Sequence, residues 1–447
     1  MKTTKEEIKF GEINFDQLDG ILSATIKEDR ANKIATVLCM ISAYTDDGQF
    51  NISFNAPSST GKSYIPLEIA KFFPKEDLII LGNCSPTAFF HEQGVTNEET
   101  REITVDLSRK ILIFTDQPGN QLLERLRSML SHDQKEMHSK ITDKITQGGN
   151  RTKNIIIKGF PCVVFCSAGL SLDEQESTRL LLLSPEMSQK KISRGISEKI
   201  RKETDSVHYR SELENNEGRK ALRQRIEAIK KEQIKDVIIE NPEQIEARYL
   251  MGRSILKARD QRDVSRLISM IKAITLLNLW NRDRYADYVY ADAKDIEAGF
   301  QLWEKISASQ ELDLPPYVYD LFKDIVLPVW EKQNPSMKAG VNSVTKSGGI
   351  TRQQIQQKHF EIFNKTIPDW QLRQDILPML ESSGLIAQEK PLFGDGRKML
   401  IFPLRDIRVL QSYAPDSDKI EEIDLSAPEN NSELDSVGQE DPDEVFK

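Results

Sequence analysis

Gly61, Lys62 and Ser63 follow a short apolar run and precede a helical stretch, the setting of a phosphate-binding loop. Backbone N–H groups of such a loop wrap phosphate oxygens, a lysine adds positive charge and a hydroxyl ligates Mg²⁺. The spacing matches Walker A, with Ala56 at the first glycine position. The predicted nucleotide-contacting residues are Ala56, Pro57, Ser58, Ser59, Thr60, Gly61, Lys62, Ser63 and Tyr64. The alternative is a chance Gly-Lys-Ser in a surface loop.

A second candidate site follows the apolar run 111–114, where Asp116 stands two residues later. A carboxylate at the carboxyl end of a parallel strand is placed to hold Mg²⁺ through water, so Asp116 is the second predicted metal ligand. The next residue, Gln117, can orient an attacking water but is a poor base. We therefore expect slow hydrolysis, or a base supplied by Glu124 or Asp133.

Four short apolar runs alternate with helical stretches in the region that holds these residues. The runs are residues 51–54, 78–81, 111–114 and 163–165. This alternation predicts an α/β core, in which helices cover a parallel sheet. Apolar residues three and four apart predict helix over residues 14–46, ahead of the core.

Composition divides the chain into segments. Residues 1–46 are a predicted helical lead-in, 47–193 a nucleotide-binding core, and 194–240 a solvated, charged helical connector. Residues 241–333 are again helical and apolar, and 334–349 contain the Pro, Ser and Gly of a linker. Residues 350–410 form a predicted compact unit, and 411–447 a disordered acidic tail.

The net charge of −9 comes from this tail, because residues 415–447 hold twelve Asp or Glu against two lysines. The remaining chain is nearly neutral, so any binding of nucleic acid needs local basic surfaces.

No apolar run is long enough to span a membrane and the N-terminus is charged, which predicts a cytoplasmic protein. The four scattered cysteines predict buried thiols rather than disulfides or a zinc site.

Residues 140–158 contain two β-branched runs joined by Gly148, Gly149 and Asn150, which predicts a β-hairpin. Several cations on it are candidates for contacting the phosphates of a DNA strand. They are Lys140, Lys144, Arg151, Lys153 and Lys158. The alternative is a solvated hairpin with ordinary surface lysines.

With these features in this order, the chain resembles AAA+ ATPases, and in particular minichromosome-maintenance-like replicative helicases of plasmids and mobile elements. The resemblance covers most of residues 15–404. Residues 159–168 resemble the sensor 1 strand, which puts Ser167 beside the γ-phosphate, although an ordinary core serine is the alternative. Arg179 precedes an apolar strand as does the family's arginine finger, which reaches a neighbouring subunit's nucleotide. A surface arginine is the alternative.

The resemblance also implies two further parts. The region around Arg262 and Arg266 resembles the helical lid, with either arginine as sensor 2; a salt bridge to Asp260 or Asp263 is the alternative. Residues 350–404 resemble a winged helix. There Arg397 and Lys398 are candidate phosphate contacts, although many winged helices bind protein.

Together these features imply an ATP-dependent DNA helicase or translocase, acting with Mg²⁺ in the replication of a mobile element. The resemblance further implies a ring, by analogy a homohexamer, with the acidic tail as a candidate contact for a primase or another replication partner. A merely solubilising tail is the alternative. The competing function is a nucleotide-switched DNA-binding or loader protein with little unwinding activity, and Gln117 favours it.

Overall fold

The computed structural model describes residues 10–82, 84–85, 94–97, 99, 102–116, 118–132, 134–143, 151–167, 178–251, 253, 256–337, 339–340, 348–391 and 399–405. The strands are β1 (Ile52–Asn55), β2 (Leu78–Leu81), β3 (Val95–Thr96), β4 (Ile103–Asp106), β5 (Ile111–Phe114), β6 (Glu136–Asp143), β7 (Arg151–Lys158), β8 (Cys162–Ser167), β9 (Leu181–Leu183), β10 (Asp236–Ile238), β11 (Arg284–Tyr285), β12 (Tyr288–Tyr290), β13 (Ile386–Glu389) and β14 (Leu400–Pro403).

The main helices are α1 (Phe15–Leu22), α2 (Arg30–Ser42), α3 (Tyr64–Ala70), α4 (Asn120–Leu130), α5 (Gln189–Thr204), α6 (Ser206–Asn215), α7 (Glu217–Glu232), α8 (Pro242–Leu250), α9 (Asp260–Leu277), α10 (Ala293–Gln310), α11 (Pro316–Leu321), α12 (Leu327–Gln333), α13 (Arg352–Phe363), α14 (Asp369–Gln371) and α15 (Leu377–Ser382). Single π-helical turns, Phe322–Val326 and Leu372–Ile376, join α11 to α12 and α14 to α15. Among the helices of the described ranges, none is both long and apolar enough to cross a bilayer.

A five-stranded parallel sheet forms the centre, with strand order β2-β5-β8-β1-β9. All four apolar runs predicted as strands belong to it. Its side chains alternate between two buried faces. On β5, Ile111 and Ile113 face the main cluster, which includes α2, α7 and α9, whereas Leu112 and Phe114 face a cluster with α4. The chain is therefore a mixed α/β protein with a parallel central sheet.

The N-terminal segment forms two helices instead of the continuous helical stretch predicted over residues 14–46. Helix α1 begins with a capping box between Asn14 and Gln17. Glu28 and Asp29 then adopt left-handed backbone angles, with φ of 53° and 57°, and turn the chain into α2. Nearly every residue of α2 is buried, so this helix lies inside the main cluster.

The predicted hairpin is present as β6 and β7, which pair antiparallel from Glu136 opposite Lys158 to Asp143 opposite Arg151. It belongs to a second sheet of order β3-β4-β7-β6, separate from the parallel sheet. Gly159 leaves this sheet with φ of 79°, and a Cβ there would lie 2.5 Å from the backbone nitrogen of Ser108. Glycine is therefore required where the hairpin returns to β8.

Helix α7 lies in the segment predicted to be a solvated connector, yet it buries Leu222, Ile226 and Ile229 in the main cluster. Its arginines are also enclosed. Arg225 donates to the Leu277 carbonyl at 2.7 Å, and Arg219 stacks on Phe72. A charged helix can thus be buried when its cations have carbonyl and aromatic partners, which composition alone does not indicate.

A separate apolar cluster joins residues on both sides of the predicted linker 334–349. It combines Leu314 to Trp330 with residues between Ile350 and Ile401, including the antiparallel pair β13 and β14. Between this cluster and the sheet stands Gln310, whose fully buried side-chain amide bonds the backbone of Leu182. Its Oε1 accepts from Leu182 N at 3.1 Å, and its Nε2 donates to Leu182 O at 2.6 Å.

Candidate nucleotide-binding site

The loop between β1 and α3 bends sharply through two left-handed residues. Ser59 has φ of 69° and Gly61 has φ of 95°. No atom lies within 4 Å of a Cβ added at Gly61, so backbone conformation rather than crowding favours glycine there. The Gly61 carbonyl accepts from Tyr64 N and Ile65 N, which starts α3 directly after Ser63. The loop therefore exposes Ser58 and Ser59 while Lys62 and Ser63 stay half-buried.

The loop leaves the sheet at a point where chain connections diverge. From β1 the chain crosses to β2 at one edge, whereas from the neighbouring β8 it crosses to β9 on the other side of β1. Connections that leave adjacent parallel strands in opposite directions open a crevice at their carboxyl ends, where ligands of open α/β sheets bind. The residues that follow β1 and β8 border this crevice.

Three of the predicted site residues lie near one level at this edge. Asn55 pairs with Ser167, and Ala56 N donates to the Ser167 carbonyl at 3.5 Å. Because Phe114 pairs with Phe165, extending the register by two residues brings Asp116 level with Ser167. Asp116 lies two strands from Asn55, about 10 Å at the usual strand spacing. The geometry thus brings the start of the loop, Ser167 and Asp116 together.

Lys62 and Asp116 both act electrostatically on one buried thiol. The pKa of Cys166 is raised to about 12, chiefly by burial; of the two neighbouring charges, the Lys62 ammonium lowers it and the Asp116 carboxylate raises it. The thiol also donates to the Lys62 carbonyl at 3.5 Å. In the described part of the chain, neither Lys62 nor Asp116 has a side-chain hydrogen bond or ion pair. Both charges are therefore available to a ligand.

The oxygen atoms at this edge suit a magnesium ion. Ser63 offers a hydroxyl and Asp116 an exposed carboxylate. The described residues contain no group of three His, Cys, Asp or Glu that could hold a metal alone. Mg²⁺ commonly takes one or two protein oxygens together with water and phosphate oxygens, so two protein donors fit this ion. Gln117, the predicted water-orienting residue, lies outside the described residues, as does Asp133.

Arg179 and Arg266 lie at the opposite edge of the sheet. Leu181 pairs with Ile52, so Arg179 precedes the level of Ala56 by six residues, about 20 Å along the strands. Arg179 donates to Ser131 Oγ at 2.6 Å. Arg266 is buried, ion-pairs with Asp263 and donates to the Thr178 carbonyl. The salt bridge weighed as the alternative for Arg266 is thus present, and neither arginine lies beside the loop of its own chain.

A cavity of about 570 Å³ adjoins the loop, and sequence reasoning missed the residues that surround it. Ser59, Thr60, Gly61 and Tyr64 line one side, residues 25–29 another, and α5 a third. Lys191 of α5 donates to the Thr60 carbonyl at 3.3 Å and ion-pairs with the buried Asp29. The signal in the sequence was Ile192, Ile196 and Ile200, apolar residues four apart in a charged helix, all at least 43% exposed.

The hairpin cations are only partly described. Lys140 is exposed, and Lys158 ion-pairs with Glu136 at 3.6 Å. Arg151 and Lys153 lie on β7, of which only the backbone is described at those positions, and Lys144 lies outside the described residues. Arg397, Lys398 and the tail 411–447 also lie outside them. The DNA contacts predicted for these residues stay predictions.

Comparison with known proteins gives little that bears on this site. No family model matches the chain, and neither does any curated protein. A solved structure described as "SCCmec type IV Cch - active helicase" is similar at a TM-score of 0.31 and 10% sequence identity, over 90% of this chain and 72% of that chain. A TM-score of this size does not establish a shared fold.

Proposed function

We propose that the chain is a P-loop ATPase of the AAA+ type that binds ATP with Mg²⁺ and acts on DNA. The observation that carries this proposal is the meeting of the loop after β1, Ser167 and Asp116 at one crevice of a parallel sheet. The backbone N–H groups of the loop and the Lys62 ammonium would hold the β- and γ-phosphates. Ser63 and Asp116 would hold Mg²⁺, which supplies charge neutralisation at the phosphates.

The attacking water has fewer candidate partners. Gln117 follows Asp116 and would orient the water by hydrogen bonds, while Ser167 would contact the water or the γ-phosphate. Glu124 is exposed on α4, the helix that follows this strand, and is the remaining described candidate base. Because an amide can orient the water but cannot accept its proton, we expect slow ATP hydrolysis.

Arg179 would serve a neighbouring copy of the chain. Arg179 lies about 20 Å from its own loop along the strand direction, which exceeds the reach of a side chain. In a ring, an arginine at one subunit's edge can neutralise charge on the phosphates bound by the next. This geometry supports a ring oligomer, which we propose to be a hexamer with α9 and α10 in the lid.

The action on DNA rests on two further parts. The hairpin of β6 and β7 would project into the ring and contact one strand's phosphates through Lys140 and its neighbours. The unit from α13 to β14 combines helices with an antiparallel strand pair, an arrangement that supports the proposed winged helix. We propose a helicase or translocase that acts in the replication of a mobile element.

The test compares ATP hydrolysis and strand displacement on forked DNA for the wild type, Lys62→Ala and Lys75→Ala. Lys75 is an exposed lysine of the same sheet region and provides the matched control. We expect Lys62→Ala to abolish both activities and Lys75→Ala to retain them. Hydrolysis that persists in Lys62→Ala would overturn the proposal.

A nucleotide-switched DNA-binding or loader protein is the second candidate, and the glutamine at position 117 favours it. In that case ATP would hold an assembly on DNA, and hydrolysis would be incidental. Nucleotide-dependent DNA binding by the wild type without strand displacement would support this candidate over the helicase.

A further inference from the structure

We propose that the cavity beside the loop takes the nucleobase of the bound nucleotide, and that Glu198 of α5 selects a base carrying an amino group. This inference rests on the proposed binding of ATP. The cavity touches Thr60 and Gly61 at one end and Glu198 at another, within a space of about 570 Å³. Pockets for small ligands usually measure about 300 to 1,000 Å³, so a base attached to phosphates at the loop has room here.

Apolar side chains form the walls that would meet the flat faces of a base. Ile26 and Ile65 are buried on the core side, and Ile192 and Ile196 face the cavity from α5. Between these two isoleucines stands Gly195, and no atom lies within 4 Å of a Cβ added there. A glycine inside a helix costs about 1 kcal/mol relative to alanine. Crowding does not require this glycine, and its absent side chain widens the cavity.

Glu198 is a charged residue in the lining of this cavity. Its residue is 7% exposed, and its Oε2 ion-pairs with Lys27 at 3.1 Å. Its Oε1 is buried and accepts no hydrogen bond of normal geometry from the described residues. The Tyr209 hydroxyl lies beside this carboxylate, because burial first, and then hydrogen bonding to Glu198 and its negative charge, raise the pKa of the phenol.

A buried carboxylate oxygen without a donor is unfavourable, and a ligand N–H group would satisfy it. The 6-amino group of adenine is such a donor. Purine riboside lacks this group and is otherwise the same shape, so it leaves Glu198 Oε1 without a partner. A site that bonds a ligand N–H group discriminates against the analogue lacking it.

The experiment measures binding to the full chain by calorimetry in Mg²⁺, with ATP, purine riboside triphosphate and inorganic tripolyphosphate. We expect wild type to bind ATP at least about 10-fold more tightly than purine riboside triphosphate. Glu198→Leu should remove that preference. Because the preference is a ratio measured within one protein, a change in stability of the variant does not produce it.

Ile196→Trp and Ile200→Trp form a matched pair on α5. The two isoleucines are 56% and 57% exposed, but only Ile196 lines the cavity. We expect Ile196→Trp to weaken ATP binding at least about 10-fold and leave tripolyphosphate binding unchanged, since the indole occupies space for the base only. Ile200→Trp should bind both ligands as wild type does.

Two results separate this inference from the function on which it rests. If Lys62→Ala loses ATP and tripolyphosphate while Ile196→Trp behaves like Ile200→Trp, phosphate binding stands and the base cavity is wrong. If Lys62→Ala binds both ligands as wild type does, the proposed function fails. If wild type binds ATP and purine riboside triphosphate equally tightly, Glu198 does not select the base.

Discussion

The two edges of the parallel sheet differ in whether their charged side chains have partners within the chain. At the carboxyl edge, Lys62 and Asp116 have no side-chain partner in the described part of the chain. At the amino edge, Arg266 and Arg259 both pair with Asp263, which is 1% exposed. Lys62 and Asp116 are therefore available to a ligand, whereas Arg259 and Arg266 are used within the fold.

This difference distinguishes residues that are available to bind a ligand from residues that stabilise the fold. A charge without an internal partner contributes little to folding, so its removal should affect ligand binding alone. A buried charge with partners is required for stability whatever else it does. The position of a residue and the partners of its side chain therefore predict different outcomes, and variants at both edges distinguish them.

Arg266→Ala should have the largest effect, lowering the free energy of unfolding by about 3 kcal/mol. The substitution removes one of two guanidinium groups from the buried Asp263, together with one donor to the Thr178 carbonyl. Urea denaturation of the purified chain measures this change. A variant as stable as wild type would mean that the amino-edge arginines do not hold the fold.

On the proposed function, Asp116→Asn should lower ATP hydrolysis at least about 100-fold, because the amide cannot supply the negative charge that would hold Mg²⁺. Its melting temperature should match that of wild type, since Asp116 has no internal partner in the described ranges. Hydrolysis assays across a Mg²⁺ titration, together with thermal melting, give both quantities. A large loss of stability in this variant would erase the contrast between the edges.

Ser184→Ala tests whether partners or position decide the effect on stability, because Ser184 lies at the carboxyl edge but its side chain is hydrogen-bonded within the fold. Its hydroxyl donates to the Asn55 carbonyl at 2.6 Å and accepts from Tyr317 N at 3.0 Å. The alanine removes the hydroxyl that bonds both backbone groups, at a cost of about 2 kcal/mol. Chemical denaturation should detect it, with Ser184→Cys as a partial replacement. No change would show that water replaces the hydroxyl.

Arg262→Ala should have the smallest effect, under about 1 kcal/mol of unfolding free energy. Arg262 belongs to the same helix as Arg266 and donates to Thr178 Oγ1, but it is exposed. Denaturation beside Arg266→Ala provides the comparison. Equal destabilisation by the two substitutions would mean that burial does not decide the role of these arginines.

Sequence periodicity was sufficient for the parallel sheet, because its strands are short apolar runs with both faces buried. Asp116 and the loop at Lys62 were predicted at its carboxyl edge for the same reason, since residues that follow parallel strands share one edge. Their closeness in space depends only on the order of the strands. The order of the strands brings these two segments to one crevice, while their binding of a nucleotide stays a prediction.

Other parts depend on contacts that no local pattern records. The charged composition of α7 predicted a solvated helix, but its burial relies on aromatic and carbonyl partners far away in the chain. The cavity near the loop is built by α5 and residues 25–29, which are brought together only by the fold. The break between α1 and α2 depends on left-handed residues that are neither glycine nor asparagine.

The side chain of Gln310 caps β9, an edge strand of the parallel sheet. Its amide occupies the N–H and C=O of Leu182 that an additional strand would otherwise use. An unprotected border of this kind invites pairing with another chain and aggregation. The sheet therefore cannot extend through Leu182 from one copy of the chain to another at that border.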